Sequence, residues 1–174
     1  LRLMHTSYGM LWVGILFLMF FPLLCIPIVW REKHGLVGVF NRGWDRLFFT
    51  GLFIPLQVEK KGPLDPAGQY IFCPNHFSYL DIPTLGLNPH NAIFVGKNDM
   101  ERIPLFGFMY RKLHITVDRN KLRSRYSTLI QSRQALDNGR SLVIFPEGGI
   151  VTPRAPYMHP FKDGAFRLAI EKQI

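Results

Sequence analysis

The 174-residue chain is 48% hydrophobic and 14% aromatic, which excludes a disordered or low-complexity class and suffices for one folded domain with a real core. Lys and Arg outnumber Asp and Glu by 21 to 12, and the resulting formal +9 favours polyanionic partners: an anionic membrane surface, phosphorylated substrates or nucleic acid. Only two cysteines occur, Cys25 in an apolar stretch and Cys73 at the end of a predicted strand, which argues against a disulfide framework or a cysteine zinc site and fits a reducing compartment.

Residues 11–30, LWVGILFLMFFPLLCIPIVW, carry no charged side chain. Twenty helical residues reach about 30 Å, the thickness of a bilayer's hydrocarbon core. Tyr8, Trp12 and Trp30 stand at the two ends as interfacial rings, and Arg31, Lys33 and Arg42 follow, placing the C-terminal side on the cytoplasmic face. Pro22 and Pro27 each remove a backbone donor, so a kinked or re-entrant segment competes with a full crossing. A buried core helix or a cleaved signal peptide would be a duller account. Apolarity on every face disfavours an ordinary surface helix, and no small-residue cleavage pattern follows the run. Residues 36–50 set Phe40, Trp44, Leu47 and Phe48 against Arg42, Asp45 and Arg46 at helical spacing, which suits a helix lying on an anionic membrane or covering a soluble core. Residues 1–50 are therefore expected to form a membrane-associated helical segment, and residues 51–174 an α/β domain.

Beyond residue 50 the apolar runs shorten to strand length and are rich in Ile, Val and Phe: FIPLQVEK, GQYIFCP, NAIFVGK, KLHITVDR and RSLVIFPEGG. Helices are predicted between them, over 78–87, about 100–113, 121–137 and 161–172. The clearest, 121–137, carries a stripe of Leu122, Tyr126, Leu129, Ile130 and Leu136 and ends at Asn138-Gly139. Strand and helix in alternation predict a mainly parallel sheet flanked by helices, with ligands gathered beyond the carboxyl ends of the strands.

Three such ends carry chemistry. The first is IFCPNHFSYLD, in which His76 and Asp81 are five residues apart. On one regular helix they would lie about 140° apart around the axis, but they can meet if His76 is on a loop and Asp81 is in the first helical turn. Pro74 breaks the strand, and Ser78 with Asp81 has capping-box spacing. An imidazole whose second nitrogen is held by a carboxylate is the His-Asp half of a catalytic triad, able to activate a hydroxyl outside the protein. The spacing is equally that of a plain helix cap, and by itself it leaves both readings open. The second end is SLVIFPEGG, where Glu147, Gly148 and Gly149 form either an anion nest or an ordinary tight turn. The third is GKNDMERIPLFG, which puts Lys97 and Arg102 just past a strand, as a phosphate clamp or as solvated surface groups. No basic stripe interleaved with aromatics forms a nucleic-acid module, so nucleic acid is not expected as a partner.

Taken in order, four blocks resemble the glycerolipid acyltransferases typified by 1-acylglycerol-3-phosphate O-acyltransferase: NHFSYLD; GKNDMERIPLFG with VDR at residues 117–119; FPEGG; and FKDGAFRLA. The resemblance implies that His76 is the general base and Asp81 its orienting partner. It implies that Asn75, Ser78, Lys97, Arg102, Glu147, Gly148, Gly149 and Lys162 belong to the acceptor site. It also implies an acyl donor that is acyl-CoA or acyl-carrier protein, a lysophospholipid acceptor at a phospholipid membrane surface, and neither a metal nor a bound cofactor. Two departures stand out. Gly149-Ile150 replaces the family's Thr-Arg, leaving Arg154 as the substitute cation if its loop folds back, and the strand that follows the fourth block in the family lies beyond Ile174, which implies a truncated C-terminus.

Overall fold

The computed structural model describes residues 2–59, 61–151 and 157–174. In chain order the elements are α1 (Arg2–Val29), a 3-10 turn Arg31–Lys33, α2 (Gly35–Gly51), β1 (Ile71–Phe72), α3 (Asp81–Gly86) and β2 (Ala92–Lys97). A second 3-10 turn Asn98–Arg102 follows, then α4 (Phe106–Leu113), β3 (Ile115–Val117), α5 (Leu122–Asp137), β4 (Ser141–Ile144) and α6 (Gly164–Lys172).

The four strands form one parallel sheet in the order β1-β4-β2-β3, as the alternation of strands and helices predicts. The central β4 reads Ser-Leu-Val-Ile, and Leu142 and Val143 are wholly buried because helices cover both faces of the sheet. Ile93 and Val95 of β2, two residues apart and therefore on one face, join Ile115, Leu142, Ala135 and Leu136 of α5, and Leu168 of α6 in the principal core. The second layer is built by the N-terminal helices. Phe20 and Leu24 of α1 pack with Val37 of α2 and with Met109 and Leu113 of α4, while Leu16 packs with Phe48, Phe49 and Leu52.

Helix α1 runs unbroken through Pro22 and Pro27 and is long and apolar enough to cross a membrane by length and composition. Its outer side leaves Leu3, Met10, Leu11, Leu18 and Met19 exposed.

Several expected boundaries shift, each for a local reason. The predicted strand at 53–60 is absent among its described residues: Phe53 takes a left-handed backbone (φ 56°), and residues 54–59, with Pro55 among them, have no regular structure. The strand containing Tyr70 shrinks to two residues before Pro74. The predicted 100–113 helix divides where Pro104 lacks an N–H and Leu105 adopts φ 59°, giving the 3-10 turn and then α4. The helix predicted over 78–87 starts only at Asp81, and that over 161–172 only at Gly164.

Candidate active site

The carboxyl ends of β1 and β4 are neighbours in the sheet, which brings the loop after β1 against the turn after β4. His76 lies on the first and Glu147 on the second, 71 residues apart in sequence. Their approach follows from parallel pairing alone.

Asp81 is the first residue of α3, and a single oxygen of its carboxylate, Oδ2, gathers three donors. His76 Nδ1–H donates to it at 2.9 Å, the Phe77 N–H at 2.8 Å and the Ser78 N–H at 2.9 Å. The two backbone bonds fix the carboxylate, and the third fixes the ring. With its proton on Nδ1, His76 carries its basic lone pair on Nε2. The ring is 3.9 Å from the Phe145 ring at an interplanar angle of 22°, so the imidazole is braced on one face by the residue just after β4. Ser78 is not the helix cap its spacing predicted. Its Oγ accepts the Leu80 N–H at 3.1 Å, closing a turn that carries the chain to the helix start. Asn75 is exposed immediately before His76.

Glu147 is 2% exposed. Its Oε1 accepts the His76 backbone N–H at 2.8 Å and its Oε2 accepts the His159 N–H at 2.9 Å, tying together two loops. The carboxylate thus braces the histidine loop. After it, Gly148 (φ 86°) and Gly149 (φ 153°) adopt backbone conformations that side chains rarely tolerate. The Gly148 N–H donates to the Phe145 carbonyl at 3.0 Å, so one donor of the expected anion nest is already engaged.

Two cations flank this glycine pair. Lys162, whose backbone N–H donates to the Pro146 carbonyl at 3.0 Å, brings its Nζ to 2.7 Å from the point where a Cβ on Gly148 would stand. Arg119, just beyond β3, brings Nη1 to 3.4 Å from the corresponding point on Gly149. Burial lowers the Arg119 pKa from its ordinary value and the Tyr110 hydroxyl opposes that shift. Neither cation has an ion-pair partner among the described residues. Glycine at 148 and 149 therefore leaves a gap that two cations border.

The remaining candidates stand apart. Lys97 is paired with Asp99 at an exposed site, and among the described residues no hydrogen bond or ion pair joins it or the exposed Arg102 to the His76–Glu147 cluster. Arg154 lies outside the described residues. Arg119 was visible in the sequence only as the last residue of VDR. The available signal was its place just past the carboxyl end of a strand, the same criterion that singled out Lys97. Phe145 and His159 carried none: one reads as an ordinary strand residue, and the other contributes only its backbone.

A family model described as Acyltransferase matches residues 55–174. The chain is 33% identical over 121 residues to a 1-acyl-sn-glycerol-3-phosphate acyltransferase of Helicobacter pylori, covering 68% of this chain and 50% of that protein. It is 37% identical over 111 residues to a lyso-ornithine lipid O-acyltransferase of Pseudomonas aeruginosa, covering 62% and 40%. The chain thus spans half or less of the length of these relatives. The crystal structure of the 1-acyl-sn-glycerophosphate (LPA) acyltransferase from Thermotoga maritima superposes with a TM-score of 0.73 at 21% identity, over 100% of this chain and 73% of that one. The fold is shared with that enzyme, and the family match spans every strand of the sheet and both loops that frame His76. The chain belongs to the acyltransferase family.

Proposed function

We propose that this chain is the catalytic part of an O-acyltransferase that moves an acyl group from a thioester, acyl-CoA or acyl-carrier protein, to the free hydroxyl of 1-acylglycerol-3-phosphate, giving phosphatidic acid. The observation that carries the reading is the His76–Asp81 bond, in which a carboxylate already held by two backbone donors presents the imidazole with Nε2 unprotonated.

Nε2 of His76 takes the hydroxyl proton as the acceptor oxygen attacks the thioester carbonyl carbon. Asp81 stabilises the imidazolium that forms. When the tetrahedral adduct collapses, the C–S bond breaks and the leaving sulfur takes the proton back from His76, so the base returns to its starting state without an acyl-enzyme. Lys162 and Arg119 hold the acceptor's phosphate at the glycine gap; cations at that point put the hydroxyl end of the same small molecule near the base. Helix α1 crosses or enters the membrane where the acceptor resides, with the catalytic domain on the cytoplasmic side.

A second acceptor class is favoured by one observation each from sequence and kinship. Gly149-Ile150 stands where the family has Thr-Arg, and one relative acts, by its name, on a lyso-ornithine lipid. The test is product analysis after one labelled thioester is supplied with an equimolar mixture of lysophosphatidic acid, lyso-ornithine lipid and monoacylglycerol. Labelled phosphatidic acid as the main product supports the reading, and acylated ornithine lipid supports the second. Transfer undiminished in His76→Ala would overturn the mechanism.

A further inference from the structure

The sheet has a second ligand-sized feature at the opposite end from His76. A cavity of about 770 Å³ is lined by Ile28 near the end of α1, Arg31 of the 3-10 turn that follows, His34 and Gly35 at the start of α2, Lys112 at the end of α4, Ile93 of β2, Ile115 of β3, and Arg140 just before β4. The strands are parallel, so this amino end is separated from the catalytic end by the length of β2, six residues or roughly 20 Å.

Its charge is not balanced within the protein. Arg31, Lys112 and Arg140 have no ion-pair partner among the described residues, and the one acidic residue on the rim, Glu32, pairs with none of them. Both arginines line this one cavity, and Arg31, after burial, lowers the pKa of Arg140. Burial and then the same two arginines lower that of His34, the direction expected of an imidazole beside cations. An anion placed between two guanidinium groups relieves their mutual repulsion, and the guanidinium fork matches phosphate geometry.

We infer that this basic cavity is a binding site for the phosphate headgroup of an anionic phospholipid, separate from the catalytic centre. The occupant follows from position and size. Arg31 comes two residues after the last residue of the apolar helix, and Val29 and Trp30 are exposed beside it, so the cavity opens where that helix meets the interface. The volume far exceeds a free phosphate and accommodates a headgroup with its glycerol. The walls also explain what occupancy would do. Asn91, which lines the cavity, already accepts the Gly38 N–H at 3.1 Å and donates to the His34 carbonyl at 3.0 Å, so this is the seam between the N-terminal helices and the sheet. A bound headgroup bridging Arg31 to Arg140 closes that seam.

The test uses the detergent-solubilised full chain titrated with dihexanoyl phosphatidylglycerol, dihexanoyl phosphatidylcholine or inorganic phosphate, followed by native mass spectrometry. One saturable phosphatidylglycerol is expected, with phosphatidylcholine and inorganic phosphate each at least about tenfold weaker. Arg31→Gln and Arg140→Gln should each weaken it about tenfold, because each removes a charge-assisted contact. Arg140→Lys should retain most of it. Lys33→Gln, on the same 3-10 turn but outside the cavity and lying over the Trp30 ring, should leave it unchanged, as should His76→Ala. Equal binding of the two lipids, or an equal loss in Lys33→Gln, would mean diffuse attraction and overturn the site. Inorganic phosphate binding as tightly as the lipid would overturn the lipid assignment. The wild-type titrations decide the matter even if Arg140→Gln does not fold.

Discussion

Glu147 holds His76 by the backbone, not the ring: Oε1 accepts the His76 N–H at 2.8 Å while Oε2 accepts the His159 N–H at 2.9 Å, from a residue that is 2% exposed. Both oxygens face donors, so an amide cannot replace the carboxylate without turning its NH₂ toward an N–H. Glu147→Gln is expected to lower kcat by about 10- to 100-fold, with the fold intact by circular dichroism, since a small misplacement of the base is costly. A loss appearing only in the KM for the acceptor would instead place Glu147 at the phosphate.

The two functions of Asp81 are separable. Asp81→Asn can still accept the Phe77 and Ser78 N–H groups through its amide oxygen but cannot stabilise an imidazolium as a charge does. Its kcat should fall by about 10² to 10⁴, as should that of His76→Ala, and the double variant should be little worse than either alone because the pair acts as a unit. Steady-state kinetics on the three proteins checks this; multiplicative losses would contradict it.

Arg119 and Lys162 are predicted to act on the acceptor's phosphate. Arg119→Gln should raise KM for lysophosphatidic acid about tenfold or more, corresponding to loss of one charge-assisted hydrogen bond, and leave KM for monoacylglycerol unaltered. An equal rise for both acceptors would assign the arginine a structural part.

Asp45 of α2 is 3% exposed, and burial pushes its pKa up to about 8. The folded state therefore keeps a proton that the unfolded chain releases near pH 4, and stability falls as pH rises between about 4 and about 8, by at most about 1.4 kcal/mol per unit. Asp45→Asn removes that dependence: denaturation midpoints should match wild type at pH 4 and exceed it at pH 8. Gly86 faces this carboxyl so closely that its absent Cβ would stand 1.8 Å from Oδ2, so Gly86→Ala should destabilise both backgrounds.

A Cβ on Gly107 would stand 2.0 Å from the Glu101 carbonyl oxygen, a backbone atom that cannot swing aside. Gly107→Ala should cost about 1–3 kcal/mol of stability, measured by urea denaturation, through overpacking of α4 against the 3-10 turn.

Much of this molecule was determined locally. The alternation of strand-length apolar runs with helical stripes dictated a parallel sheet, because a helix between successive strands carries the chain back to the end where the previous strand began, and the uncharged N-terminal run dictated a long apolar helix. His76 and Asp81 could be related from spacing, since Pro74 ends the strand and both lie in one short loop–helix segment. Other contacts needed the fold. Whether 53–59 pairs as a strand depends on a free sheet edge, and whether 100–113 is one helix depends on Pro104 and the left-handed backbone at Leu105; neither is written in hydropathy. Residues brought together across the chain were decided by tertiary structure alone: β1 pairing with β4 sets Glu147 against the His76 backbone, the end of β3 carries Arg119 to Gly149, and the seam between the N-terminal helices and the sheet brings Arg31 and Arg140 to one cavity. Composition announced an excess of positive charge, but only three-dimensional packing could divide it between the two ends of one sheet.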